Sequence, residues 1–136
     1  MLTIEQAKNI LSEVDPNYTF KLHLGAEIRS LNELSEVLEV ITEESFRHHV
    51  NEHKNDFARW ILDVIKDREL FNQINHLKSR HEIKKRIDER IAMLEKVTKR
   101  GRPFYSDELM NIGIKDFAIG VVIGFVLGVV ARYIFF

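Results

Sequence analysis

Apolar residues recur along this chain at spacings that write out short helices around one alternating stretch. Leu2, Ile4, Ala7, Ile10, Leu11 and Val14 fall on one helical face, with Thr3 placed to cap its start. Asp15, Pro16 and Asn17 end that helix, because proline disfavours the helical conformation in the residue before it. From residue 18 to 23 the period changes to two. Tyr18, Phe20 and Leu22 lie on one side and Thr19, Lys21 and His23 on the other, which predicts a strand. Gly25 supplies a positive φ for a turn, after which residues 26–29 pair back as a hairpin. A lone two-stranded hairpin is marginal in water, so it must rest against helices.

Helical spacing then returns. Ser30 and Glu33 form a capping box, serine capping the first turn and glutamate reaching back, for a helix that buries Leu31, Leu34, Val37, Leu38 and Ile41. Thr42 caps a shorter helix with Phe46 and Val50 inward, and residues 51–55 form a polar loop. Asn55 or Asp56 caps the next helix, whose Phe57, Trp60, Ile61 and Val64 sit at i, i+3, i+4 and i+7 and mark it as the centre of the core. Asp67 starts a helix with Leu70, Phe71, Ile74 and Leu77 inward. Ser79 and Glu82 form a second capping box, opening a long helix to about residue 99. Its apolar line of Ile83, Ile87, Ile91, Leu94 and Val97 is narrow, and Lys84, Lys85, Arg86 and Arg90 are assigned to the opposite face. Gly101, Arg102 and Pro103 break it, and Ser106 caps a final helix expected to run past Met110 and Lys115.

Residues 117–136 are apolar almost throughout. Twenty helical residues span roughly 30 Å, the thickness of a bilayer's hydrocarbon core. Their Phe, Ile, Leu and Val side chains contribute roughly −0.3 to −0.6 kcal/mol each on an insertion scale. Together these outweigh Arg132, which lies near the end of the span and so costs less than the roughly +3 kcal/mol of a mid-bilayer arginine. The segment therefore reads as a single C-terminal transmembrane helix.

Charge is distributed unevenly around it. Residues 1–77 hold 8 Lys and Arg against 14 Asp and Glu, residues 78–102 hold 10 against 4, and residues 103–136 hold 2 against 3. Lys96, Lys99, Arg100, Arg102 and Lys115 precede the span, so the positive-inside bias places the head in the cytoplasm. The first residues contain acids and lack a long apolar run, unlike a secretory signal. Insertion after synthesis, as for tail-anchored proteins, follows from the position of the span. A sorting signal cleaved on the outer surface would pair an apolar segment with a terminal arginine in the same way, but needs an export signal. There is no cysteine, which excludes disulfides, thiolate metal sites and cysteine nucleophiles.

Gly25, Ser30, Leu34, Leu38, His49, Asn55, Asp56, Phe57 and Trp60 carry a resemblance. From Phe20 to about Leu70 the chain resembles a small, mostly archaeal family of uncharacterised domains. Members place a short hairpin and a helix before a histidine near a helix end, then Asn-Asp-Phe and a tryptophan three residues on. The resemblance implies a fold unit and supplies no reaction.

His48, His49, His53 and Asp56 are the densest group of possible metal ligands. His49 and His53 share a helical face if the helix runs that far, and with Asp56 they could form a catalytic zinc site. Asn51 argues that the helix stops first, and a buried His49 bonded to Asp56 would fix the corner equally well. His23, His76 and His81 are read as isolated and solvated, and Trp60 as core. No phosphate loop or nucleophile elbow is present. The cations Lys84, Lys85, Arg86, Arg90, Lys99, Arg100 and Arg102 lack interleaved aromatics, which favours lipid headgroups or simple solvation over nucleic acid, and Lys115 and Arg132 flank the span as further headgroup candidates. Gly120, Gly124 and Gly128 repeat every four residues, and Gly113 and Ala131 extend a stripe of small residues suited to close helix packing in lipid.

The sequence thus predicts a mainly α chain with one short β-hairpin: a small α+β head over residues 1–77, with the hairpin at about 18–29. A basic neck helix (78–102), a juxtamembrane segment (103–116) and the span (117–136) follow. The expected role is a membrane-anchored cytoplasmic scaffold that recruits an unidentified cytoplasmic protein and self-associates through its span, with no cofactor and no nucleic acid. A metal-dependent enzyme using His49, His53 and Asp56 and an accessory subunit paired with a partner membrane protein are the alternatives.

Overall fold

The computed structural model describes residues 1–23 and 25–100. The juxtamembrane segment, the span with its glycine stripe, and Arg102, Lys115 and Arg132 lie outside the described residues. Within them the chain is mainly helical, with six α-helices and a two-stranded antiparallel hairpin. Helix α1 is Ile4–Leu11; strands β1 and β2 are Phe20–Lys21 and Glu27–Ile28. Helices α2 (Leu31–Val40), α3 (Glu43–His49), α4 (Asp56–Trp60), α5 (Arg68–Ile74) and α6 (Arg80–Arg100) follow.

Most of these boundaries come from side-chain caps. Thr3 accepts from the Gln6 N–H while the Gln6 side chain accepts from Thr3 N–H, and the two satisfy orphan donors of α1 reciprocally. Ser30, Thr42, Asn55 and Asp67 each accept the N–H three residues on and so open α2, α3, α4 and α5. Glu33 does reach back, but to the Arg29 N–H at 2.6 Å rather than to that of Ser30.

The hairpin is shorter than its alternation implied. Phe20 pairs with Ile28 and Lys21 with Glu27, and Gly25 turns the chain at φ +99°. Residues Pro16–Tyr18 form a 3₁₀ turn, because Asp15 Oδ1 caps the Asn17 N–H and proline presets φ at the first position. Tyr18 is therefore 62% exposed instead of facing inward with Phe20. Its carbonyl accepts the Trp60 indole N–H at 2.9 Å, which ties the hairpin's approach to α4.

After Trp60 the helix widens into a π-turn over Ile61–Ile65. A residue added to the turn rotates everything beyond it by about 100°. Ile65 consequently takes the buried place that a regular helix would give Val64, which is half-buried. Lys66 closes the turn in the left-handed region at φ 66°, its N–H bonded to the Ile61 carbonyl.

The core gathers Phe20 and Ile28 of the hairpin, Leu31, Leu34 and Leu38 of α2, Phe46 of α3, Phe57 and Ile61, Leu70 and Ile74 of α5, and Ile83, Ile87 and Leu94 of α6. Helix α6 packs along α1, α2 and α5, so it is a wall of this core rather than a neck standing off a finished head at residue 77. At 21 residues it is long enough to cross a bilayer, yet its charges forbid it. Among the described residues no helix is both long and apolar enough to span a membrane.

Candidate functional site

Four consecutive structural decisions build the corner between α3 and α4. Helix α3 ends at His49, with the Val50 N–H on the Phe46 carbonyl. Val50 and Asn55 form an isolated antiparallel bridge, and the Asn51 N–H reaches the Lys54 carbonyl at 3.0 Å, which closes a tight loop. The His53 N–H is held by Asn51 Oδ1. Asn55 then caps α4, and its amide Nδ2 donates to the carbonyls of Ile74 at 3.0 Å and Leu77 at 3.4 Å. One asparagine thereby fixes the start of α4 to the end of α5.

His49 is 5% exposed and lies among aromatic rings, 5.0 Å from Phe20 and 5.4 Å from Phe57. Its Nε2 accepts the His23 backbone N–H at 2.9 Å, so the ring proton sits on Nδ1 and points at Asp56 Oδ2, 3.2 Å away. Asp56 also holds Lys54 Nζ at 2.7 Å. Both nitrogens of His49 are therefore occupied by the fold. His53 sits beyond the helix end, exposed, and does not share a helical face with His49. Among the described residues no three His, Cys, Asp or Glu side chains gather as a metal-binding group. Of the motif residues, the structure brings His49, Asn55, Asp56 and Phe57 into one corner, and Trp60 contacts Phe20 on its far side at 5.9 Å.

His23 is not the isolated residue that its spacing implied. Its ring stacks on His48 at 4.1 Å, and its carbonyl accepts the Ser45 hydroxyl. The hairpin is thus tied to α3 by its backbone, a contact 26 residues apart in sequence with no local signal.

Burial pushes the His49 pKa below its ordinary value, and the neighbouring His48 and Lys54 push the same way; the hydrogen bond and charge of Asp56 oppose without reversing it. A base depressed in the folded state binds fewer protons folded than unfolded. Its contribution to stability is full above the unfolded pKa, near 6.5, and is lost as pH falls through the folded value. Urea denaturation from pH 8 downward should show stability declining in that window with a slope of at most about 1.4 kcal/mol per pH unit for one proton. His49→Gln keeps an acceptor for the His23 N–H and removes the titration. It should be less stable at pH 8 and nearly flat across the window. An unchanged slope would remove His49 as the titrating group.

Arg90 overturns its assignment to the basic face. It is 4% exposed, with Nε and Nη2 on the two carboxylate oxygens of Asp67 at 2.7 and 2.9 Å, and Nη1 on Glu69 at 2.7 Å. Burial alone would lower its pKa, but Asp67 and then Glu69 raise it further, so it is a permanent cation. It is unavailable to lipid headgroups. Lys84 is also engaged, with Asp88 at 2.7 Å and Glu39 at 3.4 Å; Arg86 pairs with Glu89 and Lys99 with Glu95. Burial would raise the Asp88 pKa, yet the bonds from Lys84 and Ser35 hold it below its ordinary value. Lys85 and Arg100 are exposed.

Beside the histidine corner, α4 and α5 enclose an open cleft of about 410 Å³. Comparison of the chain with protein-family models, with curated proteins and with solved structures gives no match, and none of the three bears on the resemblance over residues 20–70.

Proposed function

We propose that this chain is a membrane-tethered binding module. Its folded head recruits a cytoplasmic partner, and residues 117–136 hold it at the cell membrane in a single pass. The observation that carries the reading is the apolar run itself, with its small-residue stripe and the cations that precede it. Among the described residues no buried side-chain polar atom lacks a partner. The exposed carboxylates Glu36 and Glu44, on adjacent helices, suit a partner with a basic surface. The metal-enzyme alternative would have to take His49 from both its hydrogen bonds.

Fractionation of cells expressing the full chain tests this. The chain should stay with membranes through alkaline carbonate and leave only with detergent, while an N-terminal reporter stays cytoplasmic. Recovery in the soluble fraction, or an external reporter, defeats the proposal. Gly124→Ile should reduce self-association in a membrane two-hybrid assay; an unchanged signal favours pairing with a different membrane protein.

A further inference from the structure

The cleft between α4 and α5 gathers positive charge around one opening. Lys54, Arg59 and Lys78 all line it, against the single carboxylate of Asp56. Over residues 1–100 acids and bases nearly balance, 18 against 17, so three bases to one acid is a local excess. Asp56 is already shared by Lys54 and His49, and among the described residues neither Arg59 nor Lys78 has an ion-pair partner. Three cations around one cavity repel one another unless an anion lies between them.

The floor is apolar. Leu62 and Phe71, both half-buried, face the same cavity from α4's continuation and from α5. The frame is also held rigid from outside: Asn55 ties α4 to the Ile74 and Leu77 carbonyls, and Arg47 Nη1 holds the Lys78 carbonyl at 3.1 Å. A binding site whose walls are fixed before the ligand arrives loses less on ordering. Its volume, about 410 Å³, suits a small molecule rather than a polymer. Two unpaired cations, one of them a guanidinium able to donate in parallel to two oxygens, match a dianionic head.

We propose that the α4–α5 cleft binds a small soluble phosphate monoester, its phosphate between Arg59 and Lys78 and its apolar body on Leu62 and Phe71. The test uses the full chain in uncharged detergent micelles, titrated with phenyl phosphate by calorimetry. Saturable binding that weakens with salt is expected. Arg59→Ala combined with Lys78→Ala should weaken it by about tenfold or more. Both side chains make no hydrogen bond or ion pair among the described residues, so the unfolding midpoint should not move. Phenol, benzoate and inorganic phosphate, titrated in turn, should each bind more weakly than phenyl phosphate. No saturation at millimolar concentration, equal binding by the double variant, or equal or tighter binding of any of the three comparison ligands overturns the assignment. Should the double variant unfold, amide shifts of the wild-type chain decide. Perturbations centred on Leu62, Phe71 and Asn75 support the cleft, and perturbations elsewhere refute it.

Discussion

Replacing Arg90 with methionine is expected to destabilise the head by about 3–5 kcal/mol, the cost of leaving a buried charge without its partner. Asp67 is 2% exposed, and Arg90 supplies two of its hydrogen bonds. The third comes from the Leu70 N–H, since Asp67 also caps α5. Removing the guanidinium leaves a carboxylate that keeps its capping role but cannot reach water. The loss should therefore belong to the unpaired acid and not to missing arginine contacts. A second substitution separates the two. Asp67→Asn preserves the cap, because asparagine is as good an N-cap as aspartate, and removes the charge. The double variant Arg90→Met with Asp67→Asn should recover most of the lost stability, giving a large coupling in a double-mutant cycle read from urea midpoints. Additive effects would mean that the two residues do not act as a buried pair.

That pair also shows where sequence periodicity stops being informative. Helix α6 buries Ile83, Ile87 and Leu94, and position 90 falls between them at a spacing of three and then four. The register pointed inward; only the residue's identity argued for solvent, and Ile91 beside it offered a plausible substitute. The partner was legible in principle, as an acid beginning α5, but its pairing spans 23 residues and leaves no local trace. Caps behave in the opposite way. Thr3, Ser30, Thr42, Asn55 and Asp67 act within three residues of themselves, and each starts a helix where its side chain argued it would.

The π-turn belongs with Arg90. Phe57, Trp60 and Ile61 turn inward as a 3.6-residue repeat requires, and then one extra residue per turn moves the burial from Val64 to Ile65. Residues 61–65 are all compatible with a regular helix, so packing rather than propensity sets the widening. The histidine corner divides similarly. The His49–Asp56 contact is near in sequence and was one of the readings available from it; the His23 N–H that selects the tautomer reaches His49 through the hairpin's tertiary placement. The cleft was invisible at that level, because Lys54, Arg59 and Lys78 come from three separate elements.

A chain ending after Leu77 should not fold, whereas one ending after Arg100 should unfold cooperatively. The charge boundary near residue 77 makes the shorter piece look like a domain, but the core does not close there. Ile83, Ile87 and Leu94 have no exposure, and they cover α1, α2 and α5. Truncating a buried Ile or Leu costs about 2–5 kcal/mol, and a whole domain holds about 5–15. Losing all three, together with the partner of Asp67, exceeds what so small a core can spare. Thermal melts followed by circular dichroism and amide dispersion separate the outcomes. A sharp transition for residues 1–77 would show that α6 is an attachment after all. The expected collapse would mean that α6 closes the core, so that anything docked on residues 1–77 depends on the helix that completes them.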